Sequence, residues 1–305
     1  MMLKKTVLLL IITASICRTN AQDNSLLNML SDSMSANKTK SFVTGTFKAT
    51  HVINMQTVEG IAAGALSFVI QHRFGQLNSG AYNLFGLDNA TLRLGLDYGI
   101  TNRFTVGIGR SSYQKTFDSY AKYKLFRQTD GTNQTPISAT ILGIINYYTL
   151  NYPDKPYLNS TYRTSYIGQV LIARKFSPSL SIQIAPTYLH YNLVPTIKDK
   201  NDVFSFGFGG RMKLSKRMSL NAEYNYLLPN QVVSTTVYNS FSVGWDIETG
   251  GHVFQLVMTN SQGMAESQYI GGTTDSWGNG GIYFGFNISR NFNISNHAKN
   301  KTATW

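Results

Sequence analysis

After a short leader, this chain has no apolar run long enough to be a membrane-spanning helix. It does carry about a dozen short segments that alternate apolar and polar residues. A chain of that kind crosses a bilayer only as a closed barrel, in which every backbone group is paired between strands. The alternation is plainest in three stretches. Leu92, Leu94, Leu96 and Tyr98 share one face while Arg93 and Asp97 share the other. Leu220, Ala222, Tyr224, Tyr226 and Leu228 oppose Asn221, Glu223 and Asn225. Phe241, Val243, Trp245 and Ile247 oppose Ser242, Gly244 and Asp246. Period two marks strands. The apolar faces carry more large aromatics than a soluble barrel could pack inside, so the expected sense is apolar outward to lipid and polar inward to a lumen.

The leader, residues 1–21, reads as a cleaved secretory signal peptide. Lys4 and Lys5 precede an apolar stretch from Val7 to Ile16, and Ala21 ends an acceptable cleavage site. Cys17 is the sole cysteine and falls in the leader, so the exported chain would hold no disulfide, thiolate metal site or Cys nucleophile. Only 14% of residues are charged, in keeping with a lipid-facing exterior. The net charge of +12 falls to +9 without Lys4, Lys5 and Arg18. No Lys/Arg stripe along a helix accompanies that charge, and nucleic acid is not an expected partner.

Twelve barrel strands are marked at about 64–74, 90–99, 103–111, 116–126, 137–148, 163–175, 179–191, 203–214, 218–228, 239–248, 252–260 and 281–292. The connections at Thr101-Asn102, Ser177-Pro178-Ser179, Ser215-Lys216-Arg217 and Glu248-Thr249-Gly250-Gly251 are tight. Those at 149–162, 192–202, 229–238 and 261–280 are long. Outer-membrane barrels have short periplasmic turns and long external loops, so both ends of this barrel fall in the periplasm. Counting 42–50 as a further strand would leave a terminus outside. Residues 42–59 are therefore assigned to a periplasmic or intraluminal segment, and fourteen strands is the rival count. The expected architecture is an all-β transmembrane antiparallel barrel over 64–294, with a periplasmic or plug segment over 22–63 and a periplasmic tail over 295–305. Within 22–41, Leu26, Leu30 and Met34 have the spacing of a short amphipathic helix. The last strand ends in alternating aromatics, the pattern read by barrel-insertion machinery.

Two stretches, TFKATHVINMQTVE (46–59) and HRFGQLNSGAYNLFGLDNATLRLGLDYGITNRFTVGIGRSSYQKTFD (72–118), resemble a domain-of-unknown-function family, number five-seven-seven-seven, of Gram-negative outer-membrane β-barrel proteins. The resemblance covers roughly 42–294 and is most specific at FGLDNATLRLGLDYGIT. It implies an outer-membrane barrel and brings no catalytic residues.

The histidines are the natural candidates for chemistry. His72 and His252 share faces with Phe74 and Phe254 near strand ends, as interfacial residues would. His190 leads into an external loop, and His51 and His297 lie in the terminal segments. No triad spacing emerges, and Lys198-Asp199-Lys200-Asn201-Asp202 lacks the spacing of a calcium loop. No enzymatic activity, cofactor or metal is expected. The candidate lumen residues are Arg93, Asp97, Lys122, Lys124 and Glu223. The candidate basic periplasmic rim is Arg103, Arg127, Arg174, Lys175, Lys213, Lys216, Arg217 and Arg290. Arg73, Arg110, Lys115, Asp118, Glu266 and Asp275 are counted with the external side. A basic mouth draws anions. The expected function is a narrow outer-membrane channel or transporter for small solutes, anionic ones included. The alternative is a non-transporting anchor or assembly partner of an acidic periplasmic protein, and a hydrolase ranks third. Outer-membrane lipids and the insertion machinery are the remaining expected partners.

Overall fold

The computed structural model describes residues 40–294. The leader, the 22–39 segment and the tail from 295 lie outside the described residues. Among the described residues, twelve antiparallel strands close into one barrel. They are β1 (Ala65–Gln76), β2 (Ala90–Gly99), β3 (Phe104–Ser111), β4 (Thr116–Phe126), β5 (Ser138–Tyr148), β6 (Thr164–Lys175), β7 (Leu180–Tyr191), β8 (Asp202–Lys213), β9 (Met218–Leu227), β10 (Ser240–Glu248), β11 (His252–Thr259) and β12 (Tyr283–Asn293). Each strand pairs with the next, and β12 closes the ring on β1, with Ile288 opposite Ile70. Twelve is the number the alternation calls for; the rival count of fourteen does not hold.

The alternation explains the closure. Leu92, Leu94 and Leu96 on β2, and Phe204, Phe206 and Phe208 on β8, stand exposed on the outer wall. Arg93, Asp97, Ser205 and Arg211, one residue out of phase, are buried inside. In hydrocarbon an unpaired backbone group costs several kcal/mol, so a sheet with no edge is the stable solution. At the β1–β12 seam the outer wall is aromatic. His72 stacks on Phe286 at 4.8 Å and Phe74 on Phe284 at 5.9 Å. On the inner wall Gly107 is required by close approach, because a Cβ there would come within 2.2 Å of the Tyr120 ring.

The lumen is not left to wall side chains. Residues 43–63 run into it from the short-turn end as a hairpin. Ser41 and Phe42 pair with Asp130 and Thr129 in the β4–β5 connection. The hairpin is closed by the pairing of His51 with Gln56 and by Val52 N–H donating to Met55 O at 2.8 Å. It returns to the short-turn end, where Ile61 N–H donates to Thr105 Oγ1 and Gly64 N–H to Gly99 O. From the long-loop end, part of the β11–β12 connection folds inward and forms a one-and-a-half-turn helix, α1 (Glu266–Gly271), whose Glu266, Gln268, Tyr269 and Ile270 are buried.

Candidate functional site

The site is the lumen itself, and it is built around the hairpin tip. A two-residue turn at Ile53-Asn54 aims three successive N–H groups one way, and Glu223 meets them from the middle of β9. Its carboxylate accepts from Ile53 N–H at 3.1 Å, Asn54 N–H at 3.0 Å and Met55 N–H at 2.9 Å. Successive backbone N–H groups of this kind make a concave anion site, here filled by the protein's own carboxylate. The carbonyls of the tip are met in turn. Gln71 and Asn287 donate to Ile53 O at 3.2 and 3.0 Å, and Gln255 donates to Val52 O at 2.8 Å. Arg73, fully buried, donates to Asn54 Oδ1 at 2.8 Å and to Asn287 Oδ1 at 2.9 Å.

The two arms are held the same way, by wall side chains bonded to hairpin backbone. Lys122 Nζ donates to Thr57 O and Glu59 O, each at 3.0 Å. Gln183 bonds both ways, donating to Gln56 O at 2.7 Å and accepting from Val58 N–H at 2.9 Å. Asp97 accepts from Thr50 Oγ1 at 3.0 Å. Lys48 pairs with Glu248 at 2.9 Å, and Glu248 also holds Arg211 at 2.9 Å. His51 is kept neutral, because burial and the nearby Arg93 and Lys122 hold its imidazole well below the usual range. Thr50 Oγ1, already donating to Asp97, accepts from His51 Nδ1–H, which leaves Nε2 to accept from Gln56.

Beyond the tip the lumen is filled from the other end. Gln268 donates to Thr116 Oγ1 at 2.9 Å, Asn146 to Ser267 Oγ at 2.8 Å, and Tyr191 OH to Ser267 O at 2.6 Å. Arg93 is paired with Asp118 and donates to Gln71 Oε1 at 3.0 Å, in the zone between hairpin and loop. Burial pushes the Glu266 carboxyl up to about 7, with Asp118 adding to the effect and Arg93 opposing it. A cavity of about 20 Å³ is lined by Thr50, His51, Gln71, Gln255 and Asn287, room for one water.

Of the residues expected in the lumen, Arg93, Asp97, Lys122 and Glu223 lie there buried, and Lys124 stands 4.0 Å from Glu59 of the returning arm. The basic residues expected at the short-turn rim divide by face. Arg174 and Arg290 lean over Phe176 and Phe292, as snorkelling side chains do. Lys175 reaches Thr44 O at 2.9 Å, and Arg127 lies over the Phe42 ring, so both touch the entering chain. Arg103, Lys213, Lys216 and Arg217 are exposed at or beside the turns. Assigning Arg73, Asp118 and Glu266 to the external side is incorrect. Arg73 and Asp118 occupy inward positions of β1 and β4, and Glu266 is carried into the barrel by its loop. Gln71, Gln183, Gln255 and Asn287 were missed as site residues. Their signal was their phase on the strand, since each falls on the polar face of an alternating run.

Among the described residues no group of three or more His, Cys, Asp or Glu is placed to hold a metal ion. The profile of a family described as "Membrane bound beta barrel domain (DUF5777)" matches residues 47–292. No curated protein matches the chain. Similar solved structures include the NanC porin, at 9% identity, 73% of this chain, 97% of that chain and TM-score 0.47. The KdgM porin matches at 9% identity, covering 74% and 99%, with TM-score 0.46. The COG4313 outer membrane channel from Pseudomonas putida F1 matches at 14% identity, covering 77% and 98%, with TM-score 0.46.

Proposed function

Because this chain belongs to the DUF5777 family of membrane-bound β-barrel domains, with the hairpin lying inside its own barrel, we propose that it is an outer-membrane channel for small solutes, closed by the 43–63 hairpin and the α1 loop. The short-turn end then faces the periplasm. The observation that carries this reading is how the hairpin is held. Glu223, Lys122, Arg73, Gln71, Gln183, Gln255 and Asn287 bind hairpin groups that water can bind equally well. A polar wall of that kind tolerates an empty, hydrated lumen. Eight-stranded barrels fill with wall side chains and sixteen-stranded ones stay open. A twelve-stranded barrel has room for a removable insert.

The test is planar-bilayer recording of the refolded protein lacking residues 1–21. Wild type is expected to be mostly closed, and Glu223→Gln to open often. Asn54 Nδ2 lies 3.4 Å from Ser242 Oγ, so joining N54C to S242C with a short reducible dithiol crosslinker is expected to silence the channel until the link is reduced. A second reading, a non-transporting anchor, is favoured by the filled lumen. Silence of wild type, E223Q and a form lacking 43–59 would select the anchor and refute the channel.

A further inference from the structure

Barrel interiors are ordinarily polar, yet one sector of this lumen is aliphatic. The register sets Ile144 on β5 opposite Ile167 on β6, Ile167 opposite Leu189 on β7, and Leu189 opposite Val203 on β8. All four point inward and none is more than 3% exposed. The outer positions beside them, Ile145, Tyr166, Tyr188 and Phe204, are apolar as well. At this level β5–β8 are therefore apolar on both faces, unlike β2 or β9. The row extends over three strand spacings, roughly 14 Å. In the closed state it belongs to one buried cluster with Ile53 and Met55 of the hairpin and Tyr269 and Ile270 of the loop.

Polar groups without partners adjoin the row. Ser205 is the next inward residue after Val203 on β8. Asn225 on β9 pairs with Gly207, one inward step further. Both side chains are at least 97% buried, and Ser205 Oγ and Asn225 Nδ2 have no hydrogen-bond partner among the described residues. Buried polar groups are costly to leave unpaired. An aliphatic row ending in two unsatisfied polar atoms matches a ligand that is apolar along its body and polar at one end.

We propose that the open lumen selects amphipathic solutes, the apolar body lying on Ile144, Ile167, Leu189 and Val203 and the polar end reaching Ser205 and Asn225. This rests on the channel reading, since the row is uncovered only when hairpin and loop withdraw. An ion or sugar gains nothing from that wall, whereas each methylene laid on it gains several-fold in binding when fully buried.

The experiment records potassium chloride current through full-length E223Q lacking residues 1–21. It reads half-blocking concentrations for hexanesulfonate against methanesulfonate, and for hexyltrimethylammonium against tetramethylammonium. Neither pair crosses lipid readily, and the two pairs separate chain length from charge. With about half the surface of five extra methylenes covered, the hexyl homologue of at least one pair is expected to block at roughly thirty-fold lower concentration. In Ile167→Thr the ratio, read within the variant, is expected to shrink several-fold. Ion current with no chain-length dependence in either pair overturns the solute class and leaves the channel standing. If E223Q is silent, the same blockers are read on a form lacking 43–59; absence of any current there as well overturns the channel reading and this inference with it.

Discussion

Replacing Glu223 with Gln keeps the shape of the wall and removes the charge that holds the hairpin tip. In the closed state one carboxylate accepts from three N–H donors at 2.9–3.1 Å, and the residue is 1% exposed. Hydrogen bonds to a buried charge are worth about 1.5–3 kcal/mol each. An amide still offers one acceptor oxygen, but its NH2 group then faces N–H donors. Loss of two of the three bonds would amount to about 3–6 kcal/mol if they were independent. They share one acceptor, and the freed N–H groups recover water once the tip leaves, so about 3 kcal/mol is the better figure. That multiplies the withdrawn population about a hundredfold. The assay is open probability in a bilayer, with amide hydrogen exchange at Ile53, Asn54 and Met55 as an independent readout. Faster exchange confined to 50–58, with the strand amides still protected, marks local withdrawal. Unchanged exchange and unchanged opening in E223Q would show that the carboxylate does not hold the tip, and the latch would have to be sought elsewhere.

The returning arm offers a second perturbation. Lys122→Met leaves the carbonyls of Thr57 and Glu59 unpaired, and the urea midpoint is expected to fall by the equivalent of about 2–3 kcal/mol; an unchanged midpoint would show that water replaces Nζ freely. Docking of α1 is expected to depend on pH through Glu266. Its carboxyl is raised in the docked state to about 7 from an ordinary 4.5, so protonation favours docking. The stabilisation, on the order of 3 kcal/mol, is complete below about pH 4.5 and lost as pH rises through 7. Exchange at Gln268, Tyr269 and Ile270, corrected for intrinsic rates, is expected to accelerate from pH 5 to 8 in wild type and to stay flat in Glu266→Gln. Gly107→Ala places a methyl within 2.2 Å of Tyr120. A loss of about 1–3 kcal/mol is expected in the same urea assay, recovered in part by adding Tyr120→Leu.

Strand positions were legible because lipid outside and polar groups inside impose a two-residue period along the strands. β9 and β10 could be outlined to within a residue or two from Leu220–Leu228 and Phe241–Ile247 alone. Phase also predicts that Arg93, Asp97, Lys122 and Glu223 face inward. The same rule reaches Arg73 and Asp118, two-residue steps from Gln71 and Tyr120. Their nearness to the long-loop end suggested exposure instead, and that error comes from reading height along the barrel before face. The α1 loop was illegible for a different reason. SQGMAESQYIGG (261–272) has the polar composition of a solvated loop, and only tertiary contact turns Tyr269 and Ile270 inward. The aliphatic row was hidden by its surroundings. In ILGIIN (141–146) both faces are apolar, so alternation carries no signal about which residue meets lipid and which the lumen.

The hairpin directly precedes the first strand, and the last strand is the one that closes the ring. Its backbone is gripped by residues from early, middle and late strands, among them Gln71, Lys122, Gln183, Glu223, Gln255 and Asn287. Strands on every side of the ring therefore meet one fixed set of donors and acceptors. A strand that slipped by one residue would turn its gripping side chain to the lipid and present an apolar one in its place. The insert is thus a single template to which strand register around the ring is tied. At the seam, Gln71 of the first strand and Asn287 of the last meet on the same carbonyl, Ile53 O, so one hairpin atom joins the two strands that close the circumference.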